Sequence, residues 1–149
     1  MTLFAVFTAI VTTLLSAQCA DAEKNWGQWR GPWATGYAPH ADPPIEWSET
    51  KNIRWKTALP GLGHSSPIVW GNHVYLTTAI PTGKKFPVPV QPSGAHNNLD
   101  PFHKLQSTIL AIDRKSGKIL WEKPVQTAQP HQSTHESGTW ASNSPVTDG

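Results

Sequence analysis

Ala111-Ile-Asp113-Arg-Lys-Ser116-Gly117-Lys-Ile-Leu-Trp121 is the run of residues on which the fold turns. Upstream, Thr108-Ile-Leu-Ala-Ile112 is apolar and rich in β-branched residues, a composition that favours a strand. Asp113 to Gly117 carries turn residues, and Lys118-Ile-Leu-Trp121 resumes an apolar strand, so the stretch predicts a β-hairpin. Gly117 suits the positive-φ position of a short loop, and the Asp113 carboxylate can accept backbone N–H groups within it. Trp121 then lies on a fixed face of the outgoing strand, where its ring can pack against a neighbouring sheet.

The same parts recur elsewhere in the chain. Ser65-Ser66-Pro67-Ile-Val-Trp70-Gly71 aligns with Asn143-Ser144-Pro145-Val-Thr-Asp148-Gly149, and Ile53-Arg-Trp55-Lys aligns with Ile119-Leu-Trp121-Glu. Internal repetition of this kind marks a fold assembled from similar units. Gly71-Asn72 between Trp70 and His73 is a two-residue hairpin signal, and Pro67 and Pro145 each suit a strand's first residue, where a missing N–H is tolerated. The predicted order is an outgoing Trp strand at 53–59, then strands at 66–70, 73–79, 107–113 and 117–123.

Taken as a pattern, A-x-D-x-x-S/T-G-x-x-x-W at Ala111, Asp113, Ser116, Gly117 and Trp121 resembles the tryptophan-docking motif of the PQQ-like repeat family, the quinoprotein-type β-propellers. The mature N-terminus, Trp26-Gly-Gln-Trp29-Arg30-Gly-Pro32, is similar to the W-x-x-W-R-G-P opening of exported bacterial members, and the resemblance extends from Trp26 to Gly149. It implies an all-β partial β-propeller: about one complete four-stranded antiparallel blade with pieces of two neighbours. Propellers close with about four to eight such blades, so the chain is expected to be the N-terminal part of a longer frame and to need further blades. Asp148-Gly149, a turn signal with no strand after it, gives the same expectation.

Composition fits a globular β protein: 38% of the 149 residues are hydrophobic and 15% charged, with 14 Pro, 11 Gly and 8 Trp. Residues 1–22 read as a signal peptide. Leu3 to Leu15 is apolar apart from Thr and too short to span a bilayer, which takes about 20 helical residues, while Ala20-Asp-Ala22 supplies a small-x-small cleavage site. No Lys or Arg precedes the run, so the α-amino group alone supplies its positive end. Gln18, which is not small, precedes Cys19 and argues against a lipoprotein; cleavage after Ala22 leaves residues 23–149 without cysteine, hence without disulfide or thiol chemistry. The mature protein is expected in the periplasm or secreted.

Charge excludes one class of partner. Lys84-Lys85 and Arg114-Lys115 are the adjacent basic pairs, far apart in sequence, and twelve Lys/Arg face nine Asp/Glu once Asp21 is removed, too mild and scattered for nucleic-acid binding. Trp47, Trp55, Trp70 and Trp121 lie in or beside the predicted strands and read as packing residues rather than base-stacking platforms. Trp26 and Trp29 are expected to cap an exposed propeller end, with Arg30 paired to a carboxylate or stacked on an indole.

Residues 80–106 form a proline-rich insertion without secondary structure of its own. Pro87-Val-Pro89-Val-Gln-Pro92 favours polyproline II, and a loop of this length is expected to cover a propeller face or contact a partner. His131 and His135 make H-x-x-x-H, but Gln132 stands where a zincin needs Glu, and Pro130, Ser133, Thr134 and Gly138 place the pair in a loop, so no metal site is assigned. His64 either faces the central channel or satisfies backbone groups at the blade entry.

Two functions remain open. The resemblance implies either an exported, non-catalytic propeller that binds a protein, peptide or polysaccharide, or a dehydrogenase using pyrroloquinoline quinone and Ca²⁺. The family's dehydrogenases stack the quinone on adjacent cysteines and a Trp and hold calcium with acidic and amide groups, whereas the mature sequence has no Cys and 66–149 shows no Asp/Glu/Asn cage. The first reading is preferred: no catalytic residue and no cofactor are assigned, and Ala111, Asp113, Ser116, Gly117 and Trp121 are taken as structural.

Overall fold

The fold comes from a computed structural model, and the residues it describes are 23–86, 98–99 and 102–149. The signal-peptide reading of 1–22, the polyproline stretch 87–92 and His96 lie outside them. Six strands follow in chain order: β1 Ile68–Trp70, β2 His73–Thr82, β3 Asn98–Leu99, β4 Lys104–Asp113, β5 Ile119–Ala128 and β6 Thr134–His135. A four-stranded sheet has the order β1-β2-β4-β5, with every neighbouring pair antiparallel. This is the all-β, meandering sheet of one propeller blade.

Its hairpins form where the turn chemistry places them. Trp70 pairs with His73 across Gly71-Asn72, with Gly71 at φ 55°. Asp113 N donates to Lys118 O at 2.8 Å and Gly117 N to Asp113 O at 2.8 Å, closing the β4–β5 turn with Gly117 at φ 73°. β2 and β4 are each ten residues long and pair from His73↔Asp113 to Thr82↔Lys104, well past the predicted ends at 79 and 107. A ladder of that length carries Pro81 opposite Leu105 and shortens the insertion. β5 runs on to Ala128 through Pro124, which sits opposite Thr108 at a register shift on the edge strand, where proline is tolerated.

Three expectations are corrected. Residues 53–59 form no strand, because no neighbouring strand offers them a ladder; they cross the β4–β5 turn, to which Trp55 and Thr57 hydrogen-bond. No strand begins at Pro145. The insertion does carry secondary structure: β3 pairs with β6 as a separate two-stranded ribbon, with Asn98 opposite His135, tying the insertion to the segment after the blade.

Alternation along the central strands gives the sheet two apolar faces. On one, Leu76, Leu110 and Ile112 are buried, with Trp55, Val74 and Ile119 packed against them. On the other, Ala79, Leu105 and Ala141 are buried beneath Trp140. The N-terminal 53–62 segment therefore covers one face and the C-terminal 139–143 segment the other. The cross-strand row Ile68, Tyr75, Ala111, Trp121 belongs to the second face, where Tyr75 and Trp121 lie 5.9 Å apart between ring centroids.

The edge of the sheet at β1 is also covered. Trp26 N donates to Val69 O and Val69 N to Trp26 O, each at 2.8 Å, while Asn25 Oδ1 accepts Gly71 N at 2.7 Å. Gly27 O accepts Thr147 N at 2.9 Å, so the N-terminal segment lies between β1 and the C-terminal segment. Edge strands with free backbone groups invite pairing with other chains, and residues 25–27 remove that opportunity on this side.

Candidate functional site

The motif residues converge on a joint between two repeats. Asp113 Oδ1 accepts three hydrogen bonds, from Ser116 Oγ at 2.6 Å, Ser116 N at 2.7 Å and Lys115 N at 3.2 Å. The Ser116 hydroxyl, then its backbone N–H, holds the Asp113 carboxyl below the usual carboxylate range, with the Lys115 N–H and charge adding to the effect. The turn so fixed presents Gly117 to the Trp55 indole: a β-carbon on Gly117 would stand 2.5 Å from Trp55 Cδ2. Trp55 Nε1 donates to Arg114 O at 3.0 Å, and Thr57 Oγ1 donates to Gly117 O at 2.6 Å. An aromatic ring, its polar handle and a neighbouring hydroxyl all land on one five-residue turn.

The depressed Asp113 pKa sets a pH dependence. A carboxylate whose native pKa lies below its unfolded value, about 3.9, contributes stability that is complete above that value and is lost as pH falls through the native one. Acid titration followed by tryptophan fluorescence is expected to show Asp113→Asn less stable than the wild type at neutral pH and less sensitive to pH below about 4.

Trp121 holds in the second repeat the place that Trp55 holds in the first, yet it is 42% exposed and meets only Tyr75 among aromatic rings of the described residues. The repeated S-S-P and N-S-P stretches contrast in the same way: Ile68 is 1% exposed and its counterpart Val146 is 76% exposed. Ser66 N donates to Ser144 Oγ at 2.9 Å, which joins the two stretches directly. Beside Trp140 an apolar hollow of about 270 Å³ opens on the Trp121 face, floored by Thr77, Ser107 and Ile109.

A model of the PQQ-like repeat family, described as outer membrane protein assembly factor BamB, matches residues 44–138, which is 95 of the 149 residues. The chain belongs to this family. Neither a search of curated proteins nor one of solved structures gave a match. The matched span runs from the approach to Trp55, through the whole blade, to the loop beyond β6.

Other singled-out residues are placed as follows. Arg30 stacks on an indole, its Cζ 5.9 Å from the Trp29 ring centroid, and its Nη2 donates to Thr35 O at 3.1 Å. His64 uses its backbone N–H at the blade entry, donating to Ala141 O at 3.1 Å. His135 lies on β6 with Nδ1 2.7 Å from Ser137 Oγ, and His131 lies in the loop before it, so the H-x-x-x-H pair shares no helix. Among the described residues no group of three or more His, Cys, Asp or Glu side chains is placed to hold a metal ion, and no helix is long and apolar enough to cross a membrane.

The family's quinone site is not matched by the described side chains. Asp113 is committed to its own turn, Trp121 lies beside Tyr75, and the single Cys of the sequence, Cys19, stands outside the described residues. Sequence reasoning paired Trp55 with Trp121 as repeats but missed that Trp55 seats on the Gly117 turn. The signal was present in the alignment: if Trp121 leaves one motif, Trp55 leaves the preceding one and has to rest on something. Of the two residues expected to cap an exposed end, Trp26 pairs with Val69 at the β1 edge, whereas Trp29 is 65% exposed.

Proposed function

We propose that the chain is the N-terminal part of an exported PQQ-like β-propeller that works as a non-catalytic binding or scaffold module. The supporting observation is the commitment of the motif. The Arg114 carbonyl and Gly117 are engaged in holding one repeat against the next, and Asp113 and Ser116 in fixing the turn that presents them, so the motif's groups serve a structural role. On this reading Trp121 and Val146 rest on the next blade in the closed protein, as Trp55 and Ile68 are covered here.

Export is supported by the apolar Leu3–Leu15 run with Ala20-Asp-Ala22, and by a family description that names an envelope assembly factor. Binding belongs to loops held by a rigid scaffold, and the β3–β6 ribbon gives the insertion such an anchorage. The deciding experiment is a titration of the intact protein with pyrroloquinoline quinone and Ca²⁺. The binding-module reading expects no change in the quinone spectrum and no dye reduction with alcohols or sugars; a saturable spectral shift with substrate-dependent dye reduction contradicts it.

A further inference from the structure

We infer that a cleft beside the N-terminal segment is a binding site for a sugar acid, a hexuronate unit of an acidic polysaccharide. This rests on the reading of the chain as a binding module and names a ligand class for it. The cleft measures about 260 Å³ and brings together residues far apart in sequence: Glu23, Lys24, Trp26, Tyr37 and His40 from the N-terminal segment, and Arg114 from the β4–β5 turn. Ligand pockets for drug-sized molecules run from about 300 to 1,000 Å³, so this one suits a single sugar ring and its carboxylate rather than a peptide.

The backbone around it is set before any ligand arrives. Trp26 is pinned by its paired hydrogen bonds to Val69, and its Nε1 donates to Trp29 O at 3.3 Å. Both backbone groups of Arg114 are engaged: its N–H donates to Asn72 O at 2.8 Å and its carbonyl accepts from Trp55 Nε1. Its guanidinium makes one long contact, Nη1 to Gly71 O at 3.5 Å, which leaves donors of the fork directed elsewhere. The ion pairs among the described residues join Lys51 to Glu46 and Lys56 to Glu49, so the charges of Lys24 and Arg114 are not neutralised there.

The mixture of groups selects the ligand class. Two cations against one carboxylate favour an anion, and a guanidinium fork matches a carboxylate in two parallel hydrogen bonds. Glu23 brings carboxylate acceptors to the same cleft and His40 an imidazole edge; a simple anion gains nothing from the carboxylate, whereas a polyhydroxylated one donates hydroxyls to it. Tyr37 is 66% exposed and, with the half-buried Trp26, offers aromatic surface for the C–H face of a pyranose ring. Acid, hydroxyl and apolar ring face together describe a uronic acid.

Titration of the intact protein by ligand-detected NMR tests this, with D-galacturonate as probe and D-galactose and acetate as separate arms. Galacturonate is expected to bind saturably with a Kd on the order of millimolar, and galactose and acetate about tenfold more weakly, each lacking one of the paired interactions. Arg114→Ala and Tyr37→Ala are each expected to weaken galacturonate about tenfold while leaving the thermal midpoint within a few degrees, since neither side chain takes part in the repeat joint. Lack of saturation by galacturonate, equal binding of galactose, or retention of full affinity in both variants overturns the inference. The first of these, with no quinone binding either, removes the sugar-acid site and leaves the binding module standing.

Discussion

Alanine in place of Gly117 is expected to destabilise the intact protein by about 2–5 kcal/mol, adding about 1–2 kcal/mol for a β-carbon in the left-handed region to about 1–3 kcal/mol for forcing it into a filled space. The two contributions can be separated. Gly71 also has a positive φ, 55° against 73° at Gly117, but a β-carbon there meets nothing within 4 Å. Gly71→Ala therefore carries the backbone cost alone, about 1–2 kcal/mol. Chemical denaturation of both variants is the measurement. A Gly117→Ala loss no larger than that of Gly71→Ala means that Trp55 does not rest on the turn.

The second large effect is that of Trp55→Ala, expected at about 3 kcal/mol. Full truncation of a buried aromatic costs about 3–5 kcal/mol, and Trp55 is half-buried, although its loss also leaves Arg114 O without the indole donor. Because Trp55 and Gly117 touch, their effects are not independent. In the double variant Trp55→Ala/Gly117→Ala the clash has gone with the indole, so the pair is expected to lose less than the sum of the single losses by about 1–3 kcal/mol. Additive losses contradict the contact. Trp55→Phe, which keeps an aromatic ring and drops the N–H, is expected to fall between wild type and Trp55→Ala.

What the sequence made legible was local. The Asp113–Gly117 turn is held by hydrogen bonds that span no more than five residues, and residue types alone determine such bonds. The Gly71-Asn72 hairpin is of the same kind. Strand ends were less legible because they depend on the partner: Pro81 reads as a stop, yet β2 continues through it while β4 remains alongside to Lys104. Residues 53–59 show the reverse case, where apolar residues suited to a strand find no ladder and are used for their side chains.

Tertiary placement was the part that could not be read. Trp55 reaches a turn 59 residues away, and nothing in Ile53-Arg-Trp55-Lys itself specifies Arg114 as the acceptor. The cleft is harder still, since it joins an irregular segment near residues 23–41 to one side chain on the β4–β5 turn. Irregular segments lack the periodicity from which neighbours are inferred. The aromatic and Gly-rich opening around Trp26 to Gly36 signals only that backbone and rings meet closely.

The seating of the Trp55 indole on the Gly117 turn joins the preceding repeat to this blade, and the most direct measurement is the proton spectrum of the intact protein with tryptophan and glycine selectively labelled. The account predicts nuclear Overhauser contacts between the Gly117 α-protons and the Trp55 ring, with those α-protons shifted by the ring current and both signatures lost in Trp55→Ala. A Gly117 resonance at an ordinary position, with no contact to Trp55, contradicts it.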